Sequence, residues 1–159
     1  MDALAWLYSH YSEDVYRFIL YLSGDQALAE DITSEVFIRA WGAPNRTRPA
    51  TARAYLFAIA RNLFLNEVRR RARHPSLDER LADAAPSPET SAERNAALTE
   101  VQQGLQELPE VDRAALLMRA LHQLSYTEIG SALHLSPGAA RVRVHRARLR
   151  LAHLRSSME

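Results

Sequence analysis

An all-α fold, two small helical domains joined by a flexible acidic linker, is predicted by three observations on the sequence. Apolar residues recur every three to four positions along most of the 159 residues, and no stretch alternates apolar with polar residues as a strand would. Residues 74–97 interrupt that pattern, with three prolines, no aromatic residue and only two large aliphatics, Leu77 and Leu81. Charge, finally, is arranged in blocks. Residues 1–37 hold seven acids and one Arg (net −6), and residues 38–75 nine Arg and one acid (net +8). Residues 76–112 hold nine acids and two Arg (net −7), and residues 113–159 eight Arg and two acids (net +6). The overall charge of +1 therefore conceals two basic segments. These point to two anionic contacts, and nucleic acid is the usual anion of that size.

Composition narrows the function classes. With 47% hydrophobic and 25% charged residues the chain is a folded, soluble type rather than a disordered one. The absence of cysteine excludes disulfides, thiol catalysis and cysteine-ligated zinc. No apolar run reaches the ~20 residues of a membrane span, and Met1-Asp2-Ala3-Leu4 lacks the basic start of a secretory signal. A cytoplasmic protein without membrane insertion is expected. The six histidines (10, 74, 122, 134, 145 and 153) show no metal-ligand spacing, no serine stands in a nucleophile elbow, and no glycine-rich phosphate loop occurs. The expectation is a non-enzyme without cofactor or metal.

The elements follow in order. Asp2 to Ser23 reads as helix, with a possible break at Tyr11-Ser12 and Gly24 as its stop. Asp25 caps the next helix, whose apolar positions Leu28, Ile32, Val36 and Ala40 lie at fourfold spacing. Gly42-Ala43-Pro44 ends it, and residues 43–50 form a polar loop with two prolines. A long helix runs from about Thr51 to Arg73 with Leu56, Ile59, Ala60 and Leu63 as its apolar stripe and Phe64 in the core. Its end, Arg69-Arg70-Arg71-Ala72-Arg73, is preceded by Tyr55, Phe57, Asn62 and Phe64. Aromatics beside a basic track are the composition of a single-strand binder, and equally of a core beside a solvated helix end. Domain boundaries are set at 1–73 and 98–159, with 74–97 as linker.

Four segments follow: about 98–107, 109–122, 126–134 and 137–155. Pro109 and Pro137 occupy first-turn positions, and Ser125-x-x-Glu128 makes a capping box. The short helix Tyr126–His134, the turn Leu135-Ser136-Pro137-Gly138 and the Arg-dense helix after it have the layout of a helix-turn-helix, whose second helix enters the DNA major groove. Small Gly130 stands where two helices approach closely. On the second helix Ala140, Val144, Ala147, Leu151 and Leu154 share one face, while Val142, His145, Arg146 and Leu149 lie opposite, flanked by Arg141 and Arg143. On the acidic second helix, Glu30, Asp31, Ser34, Glu35, Ile38 and Arg39 lie on or near one side, a solvated face or a protein-docking one.

These pieces together resemble a known family. The run Tyr55-Leu56-Phe57-Ala58-Ile59-Ala60-Arg61-Asn62-Leu63, followed by arginines, is similar to the promoter-melting segment of bacterial RNA polymerase sigma factors. Residues 29–41, Ala-Glu-Asp-Ile-Thr-Ser-Glu-Val-Phe-Ile-Arg-Ala-Trp, resemble their polymerase-clamp helix, and Leu108-Pro109-Glu110 through Gly130 to Arg146-Ala147-Arg148 resembles their −35-reading domain. With only these two domains, the chain resembles the extracytoplasmic-function (ECF) group. The resemblance implies binding of core RNA polymerase at the β′ clamp through Asp31, Ser34, Glu35, Ile38 and Arg39, with a further contact to the β flap. It implies capture of single-stranded −10 DNA by Tyr55, Arg61, Asn62, Arg69, Arg70, Arg71 and the 43–50 loop. It implies reading of duplex −35 DNA by Arg141, Val142, Arg143, His145, Arg146 and Arg148, and it implies an anti-sigma factor as a further partner. Ser34 replaces the family's usual Gln, Tyr55 a frequent Trp, Ala58 a frequent Arg, Val142 a common Ser, and Ala139-Ala140 a Thr-Val pair. Such changes bear on base preference. A stand-alone helix-turn-helix regulator and a sigma-like protein-interaction module are the alternatives.

Overall fold

The computed structural model describes residues 2–42, 49–74 and 92–158, and side chains within 2–42, 52–74 and 99–157. The described residues form seven helices and no strand: α1 (Ala3–Ser23), α2 (Gln26–Trp41), α3 (Pro49–Arg73), α4 (Ala92–Glu107), α5 (Glu110–Ala120), α6 (Tyr126–Leu133) and α7 (Pro137–Met158).

Local chemistry fixes the helix ends. The Asp2 carboxylate accepts from the Leu4 amide at 3.2 Å, and the Asp25 carboxylate accepts from the Leu28 amide at 3.0 Å, each satisfying a donor the first turn leaves free. Gly24, at φ +72°, closes α1 by donating to the Leu20 carbonyl at 2.8 Å. No break occurs at Tyr11-Ser12. Leu7, Val15, Phe18, Ile19 and Leu22 are buried on one side, with Tyr11 packed against them, and this continuous stripe carries the helix through the serine. The fourfold stripe of α2 is buried as the spacing predicts. In α3, Leu56, Ala60 and Phe64 are buried, Ile59 and Leu63 partly so, and Phe57 meets Phe18 edge-on at 4.8 Å.

Helix starts differ from expectation. α3 begins at Pro49, inside the stretch expected as the polar loop 43–50. Helix α4 begins at Ala92, six residues before the expected start at 98, inside the stretch read as linker. Ala92-Glu93-Arg94-Asn95-Ala96-Ala97 is rich in good helix formers and nearly devoid of large apolar residues, so propensity builds a turn that hydrophobic periodicity does not reveal. Pro109 stands at the cap of α5, one position before the first turn. The remainder of the linker, 75–91, lies outside the described residues.

The helices form two lobes, α1–α3 and α4–α7, and the lobes adjoin. α1 packs against α4 and α5, α3 packs against α6, and one hydrophobic core runs from Leu7 to Ala147. The seam is also polar. The last turn of α1 leaves carbonyls without helical partners, and the second lobe supplies donors. Gln102 donates to the Leu20 and Tyr21 carbonyls (3.2 and 3.3 Å), Gln106 to Tyr21 and Leu22 (3.3 and 3.2 Å), and buried Arg113 to Leu22 at 2.7 Å. Arg113 also donates to the Leu105, Leu108 and Gln106 carbonyls, tying the α4–α5 turn to α1.

Candidate nucleic-acid and polymerase interface

Three surfaces carry the residues singled out in the sequence. On the first lobe, Arg39, Gly42, Tyr55, Ile59 and Asn62 line an open cleft of about 380 Å³ between the end of α2 and the middle of α3. Asn62 is exposed and Tyr55 half-buried, so an amide edge and a phenol ring face the same space. An amide edge beside a ring can take a planar group with hydrogen-bonding edges. Arg39 reaches this cleft from the helix expected to meet protein, and its Nε donates to Glu35 Oε1 at 3.2 Å. The 43–48 part of the expected base-holding loop, and the side chains of Pro49 and Ala50, lie outside the described residues.

The arginine track is less open than its sequence implies. Arg61 forms two 2.7 Å bonds to Glu110 across the lobe seam, with its side chain only 11% exposed. Arg71 pairs with Asp25 at 3.1 Å and with Glu67 at 3.2 Å, and Arg70 with Glu67 at 2.6 Å. The hydrogen bond from Arg70, joined by that from Arg71, holds the Glu67 carboxyl below the ordinary carboxylate range. Arg69 is exposed, with a long 3.4 Å contact to Asn66.

On α2, Asp31, Ser34, Ile38 and Arg39 are exposed and Glu35 is half-buried. Ile38, 66% exposed, and Trp41, 65% exposed, put large apolar surface among these charges. Trp41 stands i, i+3 from Ile38, a spacing that puts the two on the same side of α2.

The second lobe builds a helix-turn-helix from α6 and α7. Ser125 and Glu128 complete the capping box, with bonds of 3.1 and 3.0 Å. His134 ends α6 at φ +58°, and the chain returns so tightly that a Cβ on Gly130 would collide with the Leu135 carbonyl oxygen. Ser136 Oγ accepts from the Ala139 amide at 3.1 Å and starts α7. Ala140, Val144 and Ala147 are buried, which leaves Arg141, Val142, His145, Arg146, Arg148 and Leu149 exposed on the outer face. Val142 is 52% and Leu149 60% exposed, apolar surface of the kind a thymine methyl can meet. Arg143 is the exception: it turns inward and donates to Asp112 Oδ1 at 3.1 Å, where the Asp112 side chain is 1% exposed. Arg143 thus holds α7 on α5, a role its place among outward arginines hides. No group of three or more His, Cys, Asp or Glu among the described residues could hold a metal, and no helix among them is long and apolar enough to cross a membrane.

Comparison with known proteins bears on this arrangement. Residues 7–74 match the Sigma-70 region 2 family and residues 98–151 match Sigma-70, region 4. The ECF RNA polymerase sigma factor SigE of Mycolicibacterium smegmatis is 37% identical over 150 residues, 91% of this chain and 58% of that protein, so this chain spans a little over half of that relative's length. The ECF RNA polymerase sigma factor SigM of Bacillus subtilis is 32% identical over 93% of this chain and 92% of its own length. The fold is similar to that of the sigma factor RpoE from Bartonella quintana, solved in complex with the anti-sigma factor NepR, with a TM-score of 0.73 at 23% identity and 94% of each chain covered. With the two sigma regions in order and near end-to-end similarity to SigM, the chain belongs to the ECF RNA polymerase sigma factors.

Proposed function

We propose that this chain joins core RNA polymerase, recognises a −35 element as duplex and a −10 element as single strand, and thereby directs transcription initiation. The observation that supports this most is that one short chain carries both the Arg39–Tyr55–Asn62 cleft and the outward face of α7. A stand-alone helix-turn-helix regulator would use only the second. The exposed α2 face of Asp31, Ser34, Ile38 and Arg39, with Glu35, docks on the polymerase clamp. A flipped −10 base enters the cleft, where unstacking at a few kcal/mol is offset by stacking on Tyr55 and hydrogen bonds to Asn62. Arg69, with Arg70 once released from Glu67 and Arg71 once released from Glu67 and Asp25, follows the strand. Arg141, Val142, His145, Arg146 and Arg148 face the −35 groove. An anti-sigma factor as a further partner fits the complex in which the Bartonella protein was solved.

Runoff transcription with core polymerase tests the proposal, with permanganate footprinting of the bubble. The chain should produce a specific transcript and Asn62→Ala should weaken opening more than duplex capture. No transcript with core enzyme, together with tight site-specific binding by the free chain, would favour the stand-alone regulator.

A further inference from the structure

His122, in the turn between α5 and α6, is a second-lobe residue buried in the first lobe. It is 5% exposed, its ring centroid lies 4.7 Å from that of Phe57 and 6.1 Å from that of Phe18, and its Nε2 is buried without a hydrogen-bond partner. Its carbonyl accepts from Arg53 Nη1 at 2.9 Å. The charged groups that face it are Asp14 and Arg17 from α1 and Arg53 from α3. The Asp14 carboxylate stands 3.9 Å from Nδ1, too long for a strong bond and half open to water. Around the seam, Arg61–Glu110 and the Gln102, Gln106 and Arg113 contacts to α1 are polar bonds that water can replace.

We infer that this seam is a releasable latch between the lobes and that protonation of His122 releases it. A charged imidazole here would lose its hydration, leave an Nε2–H donor without an acceptor and face two guanidinium groups. Burial first, then Arg17 and Arg53, accordingly pushes its pKa down to about 4. With the lobes apart the ring is solvated and regains its ordinary value of about 6.5. Because the closed-state pKa is the lower one, closure is complete above about pH 6.5 and weakens as pH falls towards 4. Between pH 7.5 and 5.5 the closed-to-open ratio should drop about tenfold. The latch is a property of the chain itself. Its use, freeing the two DNA-contacting lobes to part, rests on the sigma-factor reading, which the transcription assay tests separately.

The chain has no cysteine, so Ala27→Cys and Ser156→Cys, both at exposed positions, give two unique sites for a donor–acceptor dye pair. Energy transfer and far-ultraviolet circular dichroism are followed through urea titrations of the full chain at pH 7.5 and 5.5. Lobe separation should precede loss of helicity, and its midpoint should move to lower urea at pH 5.5. His122→Phe, or His122→Leu should the larger ring disturb packing, should separate at the same urea concentration at both pH values. Separation that coincides with helix melting, a pH-independent midpoint in the otherwise unsubstituted chain, or a pH shift retained in the His122 variants would each overturn the inference.

Discussion

Every basic residue of this chain apart from histidine is arginine, and the fold divides these side chains between inner and outer work. Arg113 satisfies carbonyls on both lobes, Arg61 binds Glu110, and Arg143 binds Asp112. The partners of the last two lie 49 and 31 positions away, beyond the reach of any local spacing rule. That distance is why neither pairing shows in the family resemblance that put Arg61, or in the helix face that put Arg143, with the DNA-contacting residues. Arg141 and Arg146, by contrast, are exposed as their opposition to the Ala140–Val144–Ala147 face requires. They should fail differently. Arg141, nearer the start of α7, is the choice for a bidentate guanine contact, so Arg141→Ala should lose about 1–3 kcal/mol and relax preference at one base pair. Arg146→Ala should weaken binding evenly across sequences and reduce the log–log salt slope by ~0.9. Binding of each variant in holoenzyme to single-base −35 mutants, at two salt concentrations, separates the two. Wild-type affinity and preference in both variants would remove α7 as the reader.

Elements whose shape is set by neighbours in sequence were the legible ones. The capping box of α6, the glycine in the turn and the serine that starts α7 are read directly because each acts within six residues. Helix α4 was half-hidden because its first turn, Ala92-Glu93-Arg94-Asn95, contains no large apolar residue that a hydrophobic pattern could register. Gly130→Ala tests the turn: its Cβ meets backbone, which cannot swing aside like a side-chain end. Such overpacking should destabilise the chain by about 1–3 kcal/mol in urea unfolding, and a fully wild-type midpoint would show that α6 and α7 have room to separate. Helix α2 supports a different expectation. Asp31 and Ile38 are exposed, and Ala40 and Val36 keep the opposite face buried, so the outer face can change without loss of fold. Asp31→Ala and Glu35→Arg should retain helicity and lower affinity for core polymerase in pull-down titrations. Unchanged affinity in both would return this face to solvent.

At the scale of the whole molecule, the alternating charge blocks are partly neutralised against one another: Arg71 with Asp25, Arg61 with Glu110 and Arg143 with Asp112 each join a basic block to an acidic one. The two-domain pattern was legible, but the seam between the domains was not, because it depends on the α1 carbonyls meeting Gln102, Gln106 and Arg113. The seam has a geometric consequence. A compact chain of this length has a radius of gyration of about 15 Å, whereas two turns of B-DNA measure about 70 Å. With the lobes adjoined, the α7 face and the Tyr55–Asn62 cleft cannot reach two promoter elements that far apart at once. Eighteen residues lie between the end of α3 at Arg73 and the start of α4 at Ala92. Extended, they could span at most about 65 Å, so with the breadth of the lobes themselves parting brings both elements within reach. The free chain should therefore bind a duplex carrying both elements no more tightly than one carrying the −35 element alone. Core polymerase should create the difference, by docking α2 and holding the lobes apart. Equilibrium binding to the two duplexes, with and without core enzyme at fixed salt, measures it. If the free chain already prefers the two-element duplex by tenfold or more, about 1.4 kcal/mol, the closed arrangement does not limit promoter engagement.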